Sequence, residues 1–269
     1  MLTTKMTLYE TVRELMDDAR WIEGWITQNT KILSKELLRQ RYEAERKKAR
    51  AGFLSAATAV KEVTAPRTQN VWTVMWIIPE GEVLPKHAAY TTQQDENGIY
   101  VYQTVLSEEG GMEVLIFMPH FFRRYRERAG IENLKPRQLI RQYVKHNLYG
   151  TFERNGYHKG YPSYLICTKE GVSLGYYLSQ QIFLCNTFIT YDMAYPGKQQ
   201  KIIDHGKETQ EKQRHIYNSA GLRDIIRYTR NIEQIAEQSE KEWLEQKQKQ
   251  HDDTPKPKIP KQNDHDTTH

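Results

Sequence analysis

The chain has 269 residues with 39 Lys/Arg against 34 Asp/Glu, a formal charge of +5, and a mean hydropathy of −0.80. With 38% hydrophobic residues, 17 tyrosines and 5 tryptophans, part of it can fold around a core while the rest is polar helix or tail. Cys167 and Cys185 lack C-x2-C spacing, which argues against a disulfide scaffold and for a reducing, cytoplasmic setting; with no signal-like opening and no run near ~18–20 apolar residues, no membrane partner is expected.

In chain order, Thr7 to Gln28 has helical apolar spacing (Leu8, Val12, Leu15, Ala19, Ile22, Ile26), and Thr7 with Glu10 forms a capping-box pattern. Ser34 to Ala51 reads as a second helix, acidic near its start and basic at its end, as the helix dipole favours. Ala51 to Asn70 reads as helix end plus linker. From Val71 the period shortens to that of strands: V-W-T-V-M-W-I-I, K-H-A-A-Y-T-T, I-Y-V-Y-Q-T-V-L and M-E-V-L-I-F, separated by Gly- and Pro-bearing turns. These predict an antiparallel meander of four strands. A helix then runs from Pro119 to Gly130, and a second from Lys135 to His146 with Pro136 at its first turn. A Gly/Tyr-rich loop, Tyr149 to Pro162, precedes three more strand candidates. Asp192 to Asp204 reads as irregular, Lys212 to about Lys249 as a long polar helix, and 251–269 as a disordered Pro/Lys/Asp-rich tail.

Charge is unevenly spread. Between Pro119 and Tyr164 ten Lys/Arg face three acids, a net +7, whereas between Val71 and Met118 one lysine faces seven acids, a net −6. A localised positive field of this kind is the footprint of a polyanion partner, and equally of a solvated basic face. At its centre stands P-H-F-F-R-R-Y-R-E-R-A-G-I. At about 100° per residue, His120, Arg124 and Arg128 share one stripe, beside the seam of Phe121, Tyr125 and Ala129 that can dock the helix. Arg123 and Arg126 point elsewhere and read as ordinary surface charge.

Cleaving RNA requires a proton acceptor for the 2′-OH, a donor for the leaving oxygen and cations for the developing charge. His120 can move the proton. Arg124 and Arg128 can grip the phosphate, and a hydroxyl from Thr187 or Thr190 can complete the cradle. The alternative is a capping histidine with structurally paired arginines. Arg137, Arg141 and Lys145 on the next helix, with Arg154, His158 and Lys159 in the Tyr-rich loop, form a candidate nucleic-acid surface that can bind backbone while aromatics stack bases. His146, His158 and Cys167 lack metal-ligand spacing, so neither metal nor cofactor is expected. No Walker loop, G-x-G-x-x-G or G-x-S-x-G occurs.

The pattern H-x3-R-x3-R-x-G-I, seen as His120, Arg124, Arg128, Gly130 and Ile131, resembles the H-A-x2-R-M-x2-R-G-I opening of small toxin-like domains. Those domains are grouped with the RelE/barnase/EndoU/colicin ribonuclease superfamily. The resemblance spans about 75 residues, Phe117 to Tyr191, and extends to the T-F-I-T strand end at Thr187 to Thr190. Phe121 and Phe122 depart from the family pattern, and the strands before the motif are extra. The resemblance implies metal-independent endoribonuclease activity with His120 and the two arginines at the site.

The sequence therefore predicts an α+β fold: an antiparallel sheet carrying a basic helix pair, with helical extensions at both ends. The expected divisions are a helical arm (1–67), an α+β core (68–195), a C-terminal helix (196–250) and the tail (251–269). The expected function is that of a toxin-like or defence-associated, cytoplasmic endoribonuclease acting on cellular RNA, with free or ribosome-associated RNA as its partner. The alternatives are a non-catalytic RNA- or ribosome-binding module, and an adaptor whose terminal helices hold a protein partner or inhibitor.

Overall fold

The computed structural model describes residues 2–47, 56–79, 85–106, 111–148, 150–194, 197 and 199–212, with side chains of the first helix described as far as Arg41. All of them belong to one compact unit, Met1–Gly221, and the second unit, Leu222–His269, lies outside them. The expected long helix beyond Lys212 and the 251–269 tail also fall outside the described residues.

The chain opens with one helix, α1 (Leu8–Lys47), where the sequence predicted two. Its capping box forms as expected: the Thr7 amide donates to Glu10 Oε2 at 2.8 Å and the Glu10 amide to Thr7 Oγ1 at 3.3 Å. The polar T-Q-N-T stretch does not break it. Thr27, Asn29 and Thr30 donate back to the carbonyls of Glu23, Trp25 and Ile26 at 2.8, 2.8 and 2.6 Å, so their side chains bond within the helix instead of ending it. Ser34, the expected second start, is buried in mid-helix.

Among the described residues nine strands follow. They are β1 (Ala57–Thr64), β2 (Val71–Ile78), β3 (Lys86–Asp95), β4 (Gly98–Leu106), β5 (Met112–Phe117), then β6 (Thr151–His158), β7 (Tyr161–Cys167), β8 (Val172–Ser179) and β9 (Ile182–Ile189). Two helices, α2 (Pro119–Arg128) and α3 (Pro136–His146), stand between β5 and β6. All nine strands form one sheet, ordered β1-β2-β3-β4-β5-β9-β8-β7-β6. The sheet is mixed, not antiparallel as expected, because β5 and β9 pair in parallel. Two antiparallel meanders thus join at one parallel pair, and a parallel pair needs a crossover, which α2 and α3 supply.

Three further expectations are corrected. β1 occupies residues read as linker, and its pairing with β2 ties together segments on either side of the expected 67/68 boundary. The Tyr-rich stretch after Tyr149 is strand β6, irregular only at a bulge between Arg154 and Tyr157. A helix, α4, occupies 199–212, part of it in residues read as irregular.

Apolar residues fill both faces. On the back face, Leu15, Ile22, Ile26 and Leu37 of α1 pack on Trp72, Val74, Trp76 and Ile78 of β2 and on Val114 and Ile116 of β5. Asp18 fixes the register of helix on sheet. Its buried carboxylate accepts from Thr68 Oγ1 (2.7 Å), Asn70 Nδ2 (2.7 Å) and Trp72 Nε1 (3.0 Å). Ile203 of α4 joins Leu165, Cys167 and Val172 in a smaller cluster. On the front face, α2 and α3 bury Phe121, Phe122, Tyr125, Leu139, Ile140, Tyr143 and Val144 against Phe117, Phe183, Cys185 and Phe188. Among the described residues no helix is long and apolar enough to cross a membrane.

Candidate nucleic-acid interface

The front-face helices are set by the end of β5. Its parallel pairing with β9 stops at Phe117 opposite Cys185, the Met118 amide donates to the Cys185 carbonyl at 3.2 Å, and Pro119 opens α2. The expected seam does dock the helix. Phe121 and Tyr125, joined by Phe122, pack edge-to-face with Tyr143, at centroid distances of 5.2, 5.0 and 5.7 Å. Gly130, at φ 62°, takes the left-handed conformation beyond the helix end.

The polar stripe divides into three fates. His120 is exposed and makes no hydrogen bond among the described residues. Arg124 is exposed and pairs with Glu127 at 3.2 Å. Arg128 turns into the structure, donating to Thr187 Oγ1 at 3.3 Å and to the Phe188 carbonyl oxygen. The structure thus brings Arg128 and Thr187 together, but it does so where β9 runs on past the end of β5, and the arginine serves that stretch of backbone. Thr190 has no hydrogen bond to these arginines among the described residues; its carbonyl accepts from the Met193 amide at 3.1 Å. His120 and Arg128 stand eight residues apart, about 12 Å along the axis. Arg126 is not the surface charge expected: it donates to the Leu134 carbonyl at 2.8 Å, and its buried Nε has no partner.

On α3, Arg137, Arg141 and Lys145 recur every fourth residue and so share one side of the helix. Arg137 is exposed and Arg141 pairs with Glu62 at 2.8 Å. Across Pro119–His146 eight Lys/Arg stand against two acids, a net +6, whereas α1 on the back face carries eight of each, a net of zero. Of these two helical layers, only α2–α3 carries an excess of positive charge. Two clefts of about 300 and 240 Å³ lie beside Arg67 on the α1 side, the first lined also by Glu10, Arg13 and Glu14 and the second by Asp17 and Asp18, so neither has an excess of positive charge for phosphate.

The β6–β7 hairpin carries the other expected contacts. The Arg154 guanidinium lies 5.3 Å from the Tyr157 ring centroid and donates to its hydroxyl at 2.8 Å. His158 and Tyr161 lie against Tyr176, at centroid distances of 5.2 and 5.7 Å. Lys159 sits at the turn with φ 51°.

One polar cluster had no counterpart in the sequence reading. Glu170, in the β7–β8 turn, accepts from the Tyr125 hydroxyl (2.6 Å) and Asn147 Nδ2 (2.9 Å), and pairs with His146 Nδ1 (2.6 Å). Its amide donates back to Asn147 Oδ1 at 3.1 Å. Burial alone would raise the Glu170 pKa, but the bonds from His146, Tyr125 and Asn147 outweigh it and hold the carboxyl below its ordinary value. Burial, reinforced by that carboxylate, pushes the Tyr125 hydroxyl up. The cluster joins α2, the end of α3 and a turn of the sheet, three segments whose proximity no local pattern announces. Neither cysteine is poised as a nucleophile: burial pushes the Cys167 thiol up to about 11 and raises Cys185 well above its usual value. Among the described residues no three His, Cys, Asp or Glu side chains gather where they could hold a metal ion.

No family model, curated protein or solved structure matches the chain.

Proposed function

We propose that this protein binds RNA through its front helical layer. The observation that carries the reading is the charge asymmetry: the α2–α3 segment has a net +6, while the helix on the opposite face is neutral. Phosphate attraction of this kind is independent of sequence and falls with salt. In this reading α2 and α3 are a basic pair, with Arg124, Arg137 and Lys145 as phosphate contacts and Arg128 as a positioning residue. The buried, free thiols of Cys167 and Cys185 accord with a cytoplasmic setting.

A second reading adds metal-independent cleavage at the same surface, and the exposed His120 favours it. Its imidazole stands at the start of α2 with no intramolecular hydrogen bond among the described residues, so it is available to take a proton from a 2′-OH. Arg124 is the nearest arginine on its stripe, one turn away. A gel-shift assay and a cleavage assay on one labelled RNA test both readings. Retarded RNA that is released by Arg124→Gln/Arg137→Gln supports binding. Cleavage products that disappear with His120→Ala support the enzyme. RNA that is never retarded refutes both.

A further inference from the structure

Edge strand β6 puts three residues in a row on the same face as α2 and α3. Phe152 pairs with Ile166, Arg154 with Tyr164 and Tyr157 with Pro162, and Ile166 and Tyr164 belong to the front-face core. Simple alternation would give Phe152, Arg154, Gly156 and His158. The bulge between Arg154 and Tyr157 inserts one residue, with Gly156 at φ 79°, so that Tyr157 instead of Gly156 stands opposite Pro162 and His158 moves to the other face. The row therefore reads aromatic, cation, aromatic.

Its members are exposed but held. Phe152 is 37% exposed, and its ring meets Phe183 at 5.5 Å and Tyr177 at 6.5 Å. Tyr164 continues that wall, 5.2 Å from Tyr177. Tyr157 is 68% exposed, and Arg154 braces it through the ring contact and the hydroxyl hydrogen bond. A single exposed tyrosine needs no explanation. A braced tyrosine and a phenylalanine flanking an arginine, on the face that also carries the basic helices, form a surface with both chemistries of an unpaired strand: aromatic faces for bases and cations for phosphates.

We propose that this row is a base-stacking platform, and that the RNA bound is single-stranded. The inference rests on the RNA-binding reading above. Bases inside a duplex are stacked on one another and cannot lie on Tyr157, whereas the helical layer attracts phosphates of either form.

The test uses the full chain, with fluorescence anisotropy of one RNA sequence as single strand and as duplex, and inorganic polyphosphate as competitor. Wild type is expected to prefer the single strand by about tenfold or more. Tyr157→Ala should lose a similar factor on the single strand only, with its salt dependence unchanged, and Tyr157→Phe should retain the affinity. Equal affinity for both forms, unaltered by Tyr157→Ala, overturns the platform and leaves RNA binding intact. Polyphosphate that competes as well as the unlabelled single strand, per phosphate, also overturns it. Absence of any RNA binding overturns the underlying reading as well.

Discussion

Replacing Glu170 with alanine removes the acceptor that joins α2, α3 and the β7–β8 turn. Tyr125 is fully buried and Asn147 only 9% exposed, so neither donor can turn to water once the carboxylate is gone. A buried donor left without a partner costs ~1–3 kcal/mol, which the Tyr125 hydroxyl bears in full, whereas Asn147 Nδ2 keeps its bond to the Tyr143 carbonyl at 3.1 Å and adds less, so the loss is about 2–4 kcal/mol. For a domain of this size that is a fall of roughly 4–16 °C in melting temperature. His146 is half-buried and can rehydrate, so it adds little. Glu170→Gln keeps one carbonyl acceptor and should fall between. The carboxyl is held below its ordinary pKa. Its contribution is therefore complete above the unfolded glutamate value of ~4.3 and is lost as pH falls through the lower folded value. Urea melts of wild type and Glu170→Ala should diverge near neutrality and converge in acid. A difference below about 0.5 kcal/mol near neutrality, or one that widens in acid, would refute the reasoning.

Other substitutions separate the roles of neighbouring residues. Asp18→Ala should cost about 2–5 kcal/mol in urea unfolding, because Thr68, Asn70 and Trp72 all lose their shared buried acceptor. Arg128→Ala should lower stability by about 1–3 kcal/mol through its lost bond to the Phe188 carbonyl, with the salt slope of RNA binding unchanged. Arg124→Ala should do the reverse, leaving stability within about 0.5 kcal/mol and reducing that slope by about 0.7. Gly171→Ala should depress the melting temperature sharply, since a Cβ there would overlap the Ile189 carbonyl and the Phe188 ring.

The parts legible in the sequence are those encoded locally. Phe121 and Tyr125, four apart between Pro119 and Gly130, announce both α2 and its docking side, and β2, β4 and β5 are apolar runs bounded by turns. The long α1 was not legible, because T-Q-N-T resembles a break until its side chains are seen bonding to the preceding turn. Strand β6 was hidden by its own bulge, where Asn155 and Gly156 interrupt the alternation. The site was legible in its residue types but not in their division of labour. Nothing in H-x3-R-x3-R shows that Arg128 bonds to β9 beyond the end of β5 while Arg124 stays at the surface. The Glu170 cluster required tertiary structure, since Tyr125, His146 and Glu170 come from three separate segments.

The central claim is that the α2–α3 layer attracts phosphates, and its most direct test is the salt dependence of RNA affinity. The Kd for a single-stranded RNA is measured across a range of salt for wild type and for the triple variant Arg124→Gln/Arg137→Gln/Lys145→Gln. The account predicts log affinity falling linearly with log salt, with a slope shallower by about 2 in the variant, three phosphate contacts at ~0.7 each. A slope that the triple variant leaves unchanged, or binding indifferent to salt, would contradict it.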